Sequence, residues 1–174
     1  EGEPGYYLVQ FVGPILPEWK RAVAEQGAVL LDYLPDFTFI ARMDEAVRER
    51  VKALPMVRWV GIYQPGYRLA PPLLAQVLGM AEAPSGPLAV QVELFPDVDA
   101  SALQEQIRGY GEVQSVSSNE MGTLLRVRVP ANEMVALANL NGVRWIEPIP
   151  EHKIFNNIAV DIMGVRNVVW NTHG

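Results

Sequence analysis

The sequence predicts an α+β protein built from two tandem βαββαβ units, each a four-stranded antiparallel sheet with two helices on one face. Strand-like and helix-like stretches follow one another in the same order twice, over 6–70 and over 88–150, and a proline- and glycine-rich span, 71–87, separates them. Leu54-Pro55-Met56-Val57-Arg58-Trp59 also superposes in register on Leu140-Asn141-Gly142-Val143-Arg144-Trp145. Each run follows a helix and opens a last strand, which is how a duplicated unit reads.

In the first unit, Tyr6 to Val12 has strand composition and Gly13-Pro14 ends it. Pro17 suits a first helical position, and Trp19, Ala22, Val23 and Gln26 then share a face down to the stop at Gly27. Ala28 to Tyr33 and Phe37 to Ala41 read as strands joined by a turn at Leu34-Pro35-Asp36. Asp44 caps a second helix with Val47, Val51 and Leu54 inward, and Val57 to Ile62 closes the unit. The span 71–87 reads as a linker with one helical turn at Leu73 to Leu78.

The second unit opens on Leu88, Val90, Val92 and Leu94, alternating with Ala89, Gln91 and Glu93, so one face is buried and the other meets polar surroundings. Asp99 caps a helix with Leu103, Ile107 and Tyr110 on one face, ended by Gly109 and Gly111. Glu112 to Ser117 and Thr123 to Val129 are its central strands, a helix over about 132–139 turns Met134, Leu137 and Ala138 inward, and Val143 to Ile146 is the last strand. Such units predict ferredoxin-like sandwiches. With helices on one side only, the far sheet face of the second unit, carrying Gln91, Glu93, Leu124, Arg126 and Arg128, must be polar or meet a partner.

The chain of 174 residues is comfortable for two small domains, and an apolar share of 49% is ordinary for a globular protein. No apolar run approaches the length of a bilayer span, so no membrane association is expected. A net charge of -6 with scattered Lys and Arg argues against a nucleic-acid partner. With no cysteine, thiol and zinc-thiolate chemistry are excluded. The chain opens at Glu1 with neither a methionine nor an apolar leader, which reads as a processed or trimmed start.

After the last strand the chain changes character. Pro148 and Pro150 forbid a helix and hold the backbone extended. The segment ends in Ile154-Phe155, too apolar for a free linker, because burying Phe155 alone would contribute roughly 1.5 to 3 kcal/mol. Beyond it, Ile158, Ile162, Val165 and Val169 recur at helical spacing, with Asn156 or Asn157 available as a cap. A stiff segment with an aromatic residue between two folded pieces has a shape that proteases bind and cut.

Chemistry elsewhere is sparse. His152 and His173 are the only histidines and lie in different elements, so neither a catalytic nor a metal-binding pair is expected. Gly13-Pro14 lacks further glycines for a phosphate loop. Asp97, Asp99, Glu45 and Glu49 read as cap and solvated-face residues, and Trp59 and Trp145 as core or strand-edge anchors.

The run Leu140 to Pro148 resembles the closing strand of the pro-region of secreted subtilisin-like serine proteases, where a leucine, a Gly-Val pair and an Ile-Glu-Pro run are common. Asn156 to Val165 is similar to the mature N-terminus of the large alkaline, oxidatively stable members of that family. The resemblance implies an intramolecular chaperone and inhibitor whose partner is the subtilisin-like catalytic domain in cis, secreted after signal-peptide removal and requiring no cofactor in this part. It implies that Phe155 fills the primary specificity pocket, that Ile154 and Lys153 follow outward, that His152 approaches the fourth subsite, and that cleavage falls between Phe155 and Asn156. It further implies that the loop holding Asn119 and Glu120 caps an enzyme helix, in keeping with the helix dipole. The catalytic Asp, His and Ser motifs of the family are absent, so this stretch is not expected to be an enzyme.

Two competing readings remain. A tandem ferredoxin-like regulatory pair would bind a small ligand in a pocket between the repeats. An acyl-phosphate hydrolase would need an arginine in the loop after the first strand, and neither Gly13 to Leu16 nor Phe95 to Val98 contains one.

Overall fold

The computed structural model describes residues 4–82, 85–119 and 122–149, and these form an α+β architecture with two four-stranded antiparallel sheets and five α-helices. The first unit runs β1 (Gly5–Phe11), α1 (Pro17–Glu25), β2 (Val29–Leu34), β3 (Thr38–Met43), α2 (Glu45–Lys52) and β4 (Val57–Ile62). A 3-10 turn at Pro65–Arg68 and α3 (Pro71–Val77) follow. The second runs β5 (Leu88–Leu94), α4 (Ala100–Arg108), β6 (Glu112–Asn119), β7 (Gly122–Val129), α5 (Met134–Ala138) and β8 (Val143–Pro148).

Each sheet has the same strand order, β2-β3-β1-β4 and β6-β7-β5-β8, with every neighbouring pair antiparallel. Helices follow the first and third strands of each unit, so the chain crosses over one sheet face and the first strand lands between the third and the fourth. β6, read from the sequence as central, is therefore an edge strand. Alternation then sorts the side chains. Val9, Phe11, Phe39, Ala41 and Met43 meet Val23 of α1 and Val47 and Val51 of α2 in one core. Val90, Val92, Leu94, Leu125, Val127 and Val129 meet Leu103, Ile107, Met134 and Leu137 in the other.

The local signals hold where a side chain makes them. The Asp44 carboxylate accepts from the Val47 amide at 2.8 Å, and that of Asp99 from Ser101 and Ala102 at 3.0 and 3.1 Å. Gly27 stops α1 with a positive φ of 99°. The hairpin between β2 and β3 differs from expectation: Phe37 belongs to the turn, and both Asp36 and Phe37 are left-handed, with φ of 59° and 58°. Left-handed turn residues match the twist of flanking strands, and a bulky side chain there is strained.

The repeated run explains itself in the register. In β4 the partner of Gln10 is Trp59 and that of Phe11 is Val57, so Arg58 is an extra, bulged residue. β8 repeats this: Glu93 pairs with Trp145 and Leu94 with Val143, which leaves Arg144 as the bulge. Such a bulge redirects its side chain out of the strand's alternation. Gly142 stands where the first repeat has Met56, with φ of 105°, and a Cβ there would lie 2.8 Å from Val98 Cγ1. Any larger residue would be strained twice over.

The span 71–87 is not simply a linker. Leu69 bridges Ile146 in parallel, the Ala70 amide donates to the Ile146 carbonyl at 2.9 Å, and Leu73 of α3 is 1% exposed within the second core. Residues 69–77 thus cover the open edge of β8, giving a backbone carbonyl there a donor.

Candidate functional site

The tail assigned from the sequence, His152, Lys153, Ile154, Phe155 and Asn156, lies outside the described residues, as does Glu120. Asn119 ends β6 and borders a cavity with Glu93, Thr123, Leu124 and Arg144. On the far face of the second sheet Arg126 and Arg128 are exposed, and Gln91, Glu93 and Leu124 are half-buried. Trp59 is 48% exposed on edge strand β4 and lies over Gly61, while Trp145 is half-buried on edge strand β8. Both therefore anchor edges and neither is a core residue.

What the structure assembles, and sequence reading missed, is a joint between the two repeats. The outer face of the first sheet packs Tyr6 and Ile40 against Phe95 of the loop after β5, with the Tyr6 and Phe95 rings stacked at 4.0 Å. The Tyr6 hydroxyl donates to Asp97 at 3.0 Å, and Arg42 pairs with the other Asp97 oxygen at 3.1 Å. Asp97 is thus a contact between repeats, where the sequence suggested a cap or solvated-face residue.

Arg68 locks the second side of the joint. Its side chain is buried, and burial pulls the guanidinium below its ordinary value. One arm donates to the carbonyls of Ala138 and Leu140 at 3.1 and 2.9 Å, at the negative end of α5. The rest of the fork donates to the Tyr63 carbonyl, at 3.2 and 2.9 Å, and the Tyr63 ring lies 5.3 Å from the guanidinium carbon. The Tyr63 hydroxyl points at the carbonyls of Arg144, 3.1 Å away, and Tyr67, 3.2 Å away. Arg144 reaches back across the joint to Asp32 at 2.9 Å. No periodicity announces Arg68, because its partners are carbonyls from a distant helix end.

The joint is expected to carry a pH dependence. Burial, ahead of nearby carboxylates, pushes the Tyr63 phenol up to about 12, and burial together with Asp97 raises that of Tyr6. A phenol that holds its proton more tightly when folded contributes stability below its unfolded value of 10.0, and that stability is lost as pH rises through the folded value. Thermal melts from pH 8 to 12 are expected to fall steeply above about pH 10, and Tyr6→Phe with Tyr63→Phe is expected to flatten that limb. An equally steep fall in the double variant would place the sensitivity elsewhere.

Beside the joint lies a cleft of 490 Å³, lined by Leu8, Leu34, Ile40, Tyr63, Tyr67 and Trp145 together with the charged Asp32, Glu93 and Arg144. The 300 Å³ cavity at Asn119 adjoins it through Glu93 and Arg144. Among the described residues no cluster of acidic or histidine side chains could hold a metal ion, and no helix is long and apolar enough to cross a membrane.

A family model described as a domain of unknown function (DUF8729) matches residues 1–64, the stretch that contains the first unit from β1 to β4. No curated protein matches the chain.

Proposed function

We propose that the chain is the tandem pro-region of a secreted subtilisin-like serine protease, acting as intramolecular chaperone and autoinhibitor of the catalytic domain to which it is joined. The observation that carries the reading is the exit of the chain. β8 is the last strand of the second sheet, the Ile149 amide still pairs with the Ala89 carbonyl at 2.9 Å, and the Pro150 to Phe155 segment follows directly. A segment launched from a sheet in extended form suits delivery as a strand into a substrate groove. The strand order of both units supports a ferredoxin-like assignment, which alone would say little about function.

In this scheme the open face of the second sheet docks on the protease surface, Asn119 and Glu120 approach an enzyme helix N-terminus, and Phe155 enters the primary specificity pocket with Ile154, Lys153 and His152 behind it. Hydrolysis then falls between Phe155 and Asn156, and this fragment itself is not an enzyme. The first repeat, joined through Tyr6, Arg68 and Arg144, braces the second. Adding the chain to an isolated subtilisin-like catalytic domain should abolish most proteolysis at stoichiometric amounts. Undiminished activity at a hundredfold excess would sink the proposal.

One observation favours the second reading, a tandem regulatory pair with a ligand between the repeats: the inter-repeat cleft has the size and mixed lining of a small-molecule site. That reading predicts that residues 150–174 are dispensable for its activity.

A further inference from the structure

The two units close differently at their last strand, and the contrast isolates a role for the first repeat. β4 and β8 hold the same place in sheets of the same order, and each is bulged at an arginine. The first unit needs nothing more. Among the described residues β4 pairs with β1 alone, Val60 is half-buried, and Arg58 is exposed with no carboxylate partner. When the register of the shared run is carried back into the helices, Val51 falls on Leu137, both fully buried, and Arg48 falls on Met134. Arg48 pairs with Glu45 at 2.7 Å, so that flank of the first unit is charged. β8, by contrast, is held on its far side. Leu69 bridges Ile146, whose carbonyl accepts from the Ala70 amide at 2.9 Å, and Leu73 is buried beside Met134. The Arg144 carbonyl lies 3.1 Å from the Tyr63 hydroxyl, and the Arg144 guanidinium reaches Asp32 at 2.9 Å. Just upstream, Arg68 holds the carbonyls of Ala138 and Leu140. Contacts from the first repeat and the span after it thus converge on the last strand of the second unit and on the turn that leads into it.

A βαββαβ unit therefore closes without such cover, and the cover of β8 answers to something other than the fold. A strand paired on one side opens by local fraying, whereas one held on both sides opens only when its second neighbour lets go. We propose that the first repeat is a clamp on β8: through Asp32, Tyr63, Arg68 and the 69–77 span it fixes the strand from which the chain leaves the second unit, so that the joint controls how everything beyond Ile149 is presented. Asp32, Tyr63 and Arg68 are positioning residues in this device, acting through β8 on a segment they need not touch. The clamp itself is independent of the pro-region reading, while its consequence for inhibition rests on that reading.

The test pairs hydrogen exchange, followed by mass spectrometry on the whole chain, with inhibition of a subtilisin-like catalytic domain. The double variant Asp32→Asn with Tyr63→Phe keeps Arg68 and the covering span. It is expected to speed exchange in β8 by about tenfold, the scale of one lost hydrogen bond, while β7 of the same sheet is unchanged. Arg42→Gln, which breaks only the contact with Asp97, should leave β8 as it was. Equal acceleration in β7 and β8 would make the joint a source of general stability, and no acceleration in either would make it idle; both results overturn the clamp. The double variant, its tail intact, should also inhibit about tenfold less strongly than the parent. Loosened β8 with undiminished inhibition would overturn the control of presentation. A parent chain that fails to inhibit at all would remove the pro-region reading, and exchange in β8 would still decide the clamp.

Discussion

Deleting Glu151 to Phe155 is expected, on the proposed pro-region reading, to weaken inhibition of a subtilisin-like catalytic domain by roughly a thousandfold, about 4 kcal/mol. That is the binding energy of a short product-like peptide with millimolar affinity, whereas a nanomolar inhibitor needs about 12 kcal/mol. On that reading the remaining 8 or so must come from the folded sandwich, through docked surface. Progress-curve measurement of the inhibition constant with the full chain and the deletion separates the two contributions. A loss of less than tenfold would remove the tail from the substrate groove. Asn119→Ala and Glu120→Ala test the helix-capping part on their own, and unchanged inhibition in both would dismiss it. N-terminal sequencing of the matured protein fixes the junction, and a start several residues from Asn156 would count against Phe155 as the residue in the specificity pocket.

Arg68→Ala is expected to cost about 3 kcal/mol of stability, the largest effect of any single side chain in the joint. The truncation takes their side-chain donor from the buried carbonyls of Tyr63 and Ala138, leaves the Leu140 carbonyl with the Val143 amide alone, and removes the cation from the face of Tyr63. Arg68→Lys should recover less than half, because one ammonium cannot reproduce a fork that donates in three directions. Urea unfolding followed by tryptophan fluorescence and by far-ultraviolet circular dichroism reports both stability and coupling. The parent chain should unfold in one transition and the alanine variant in two, as the repeats melt separately. A single transition displaced by less than about 1 kcal/mol would show that the joint does not depend on Arg68.

Much of the architecture was legible in the residues. Alternation in Leu88 to Leu94 placed a buried face, Asp44 and Asp99 announced helix starts, and the run shared by Leu54 to Trp59 and Leu140 to Trp145 pointed to the duplication, while the bulge it contains emerged only from the register. These features depend on neighbours within a few positions, where the period of a strand or helix and the reach of a capping carboxylate leave little choice. The errors came where a local signal was outweighed. Phe37 looked like a strand residue but closes a turn, and the prolines of 71–87 looked like a linker although Pro71 and Pro72 open a helix that buries Leu73.

By itself, then, the amino-acid order determined two like units, their helix caps and their inward faces. Only the tertiary structure decided that the repeats share a joint, that Arg68 sits at the end of α5, and that Arg144 crosses to Asp32. Those contacts link residues 70 to 112 positions apart through carbonyls and single charges. Such partners leave no period in a sequence, because their positions exist only once both sheets have formed and met.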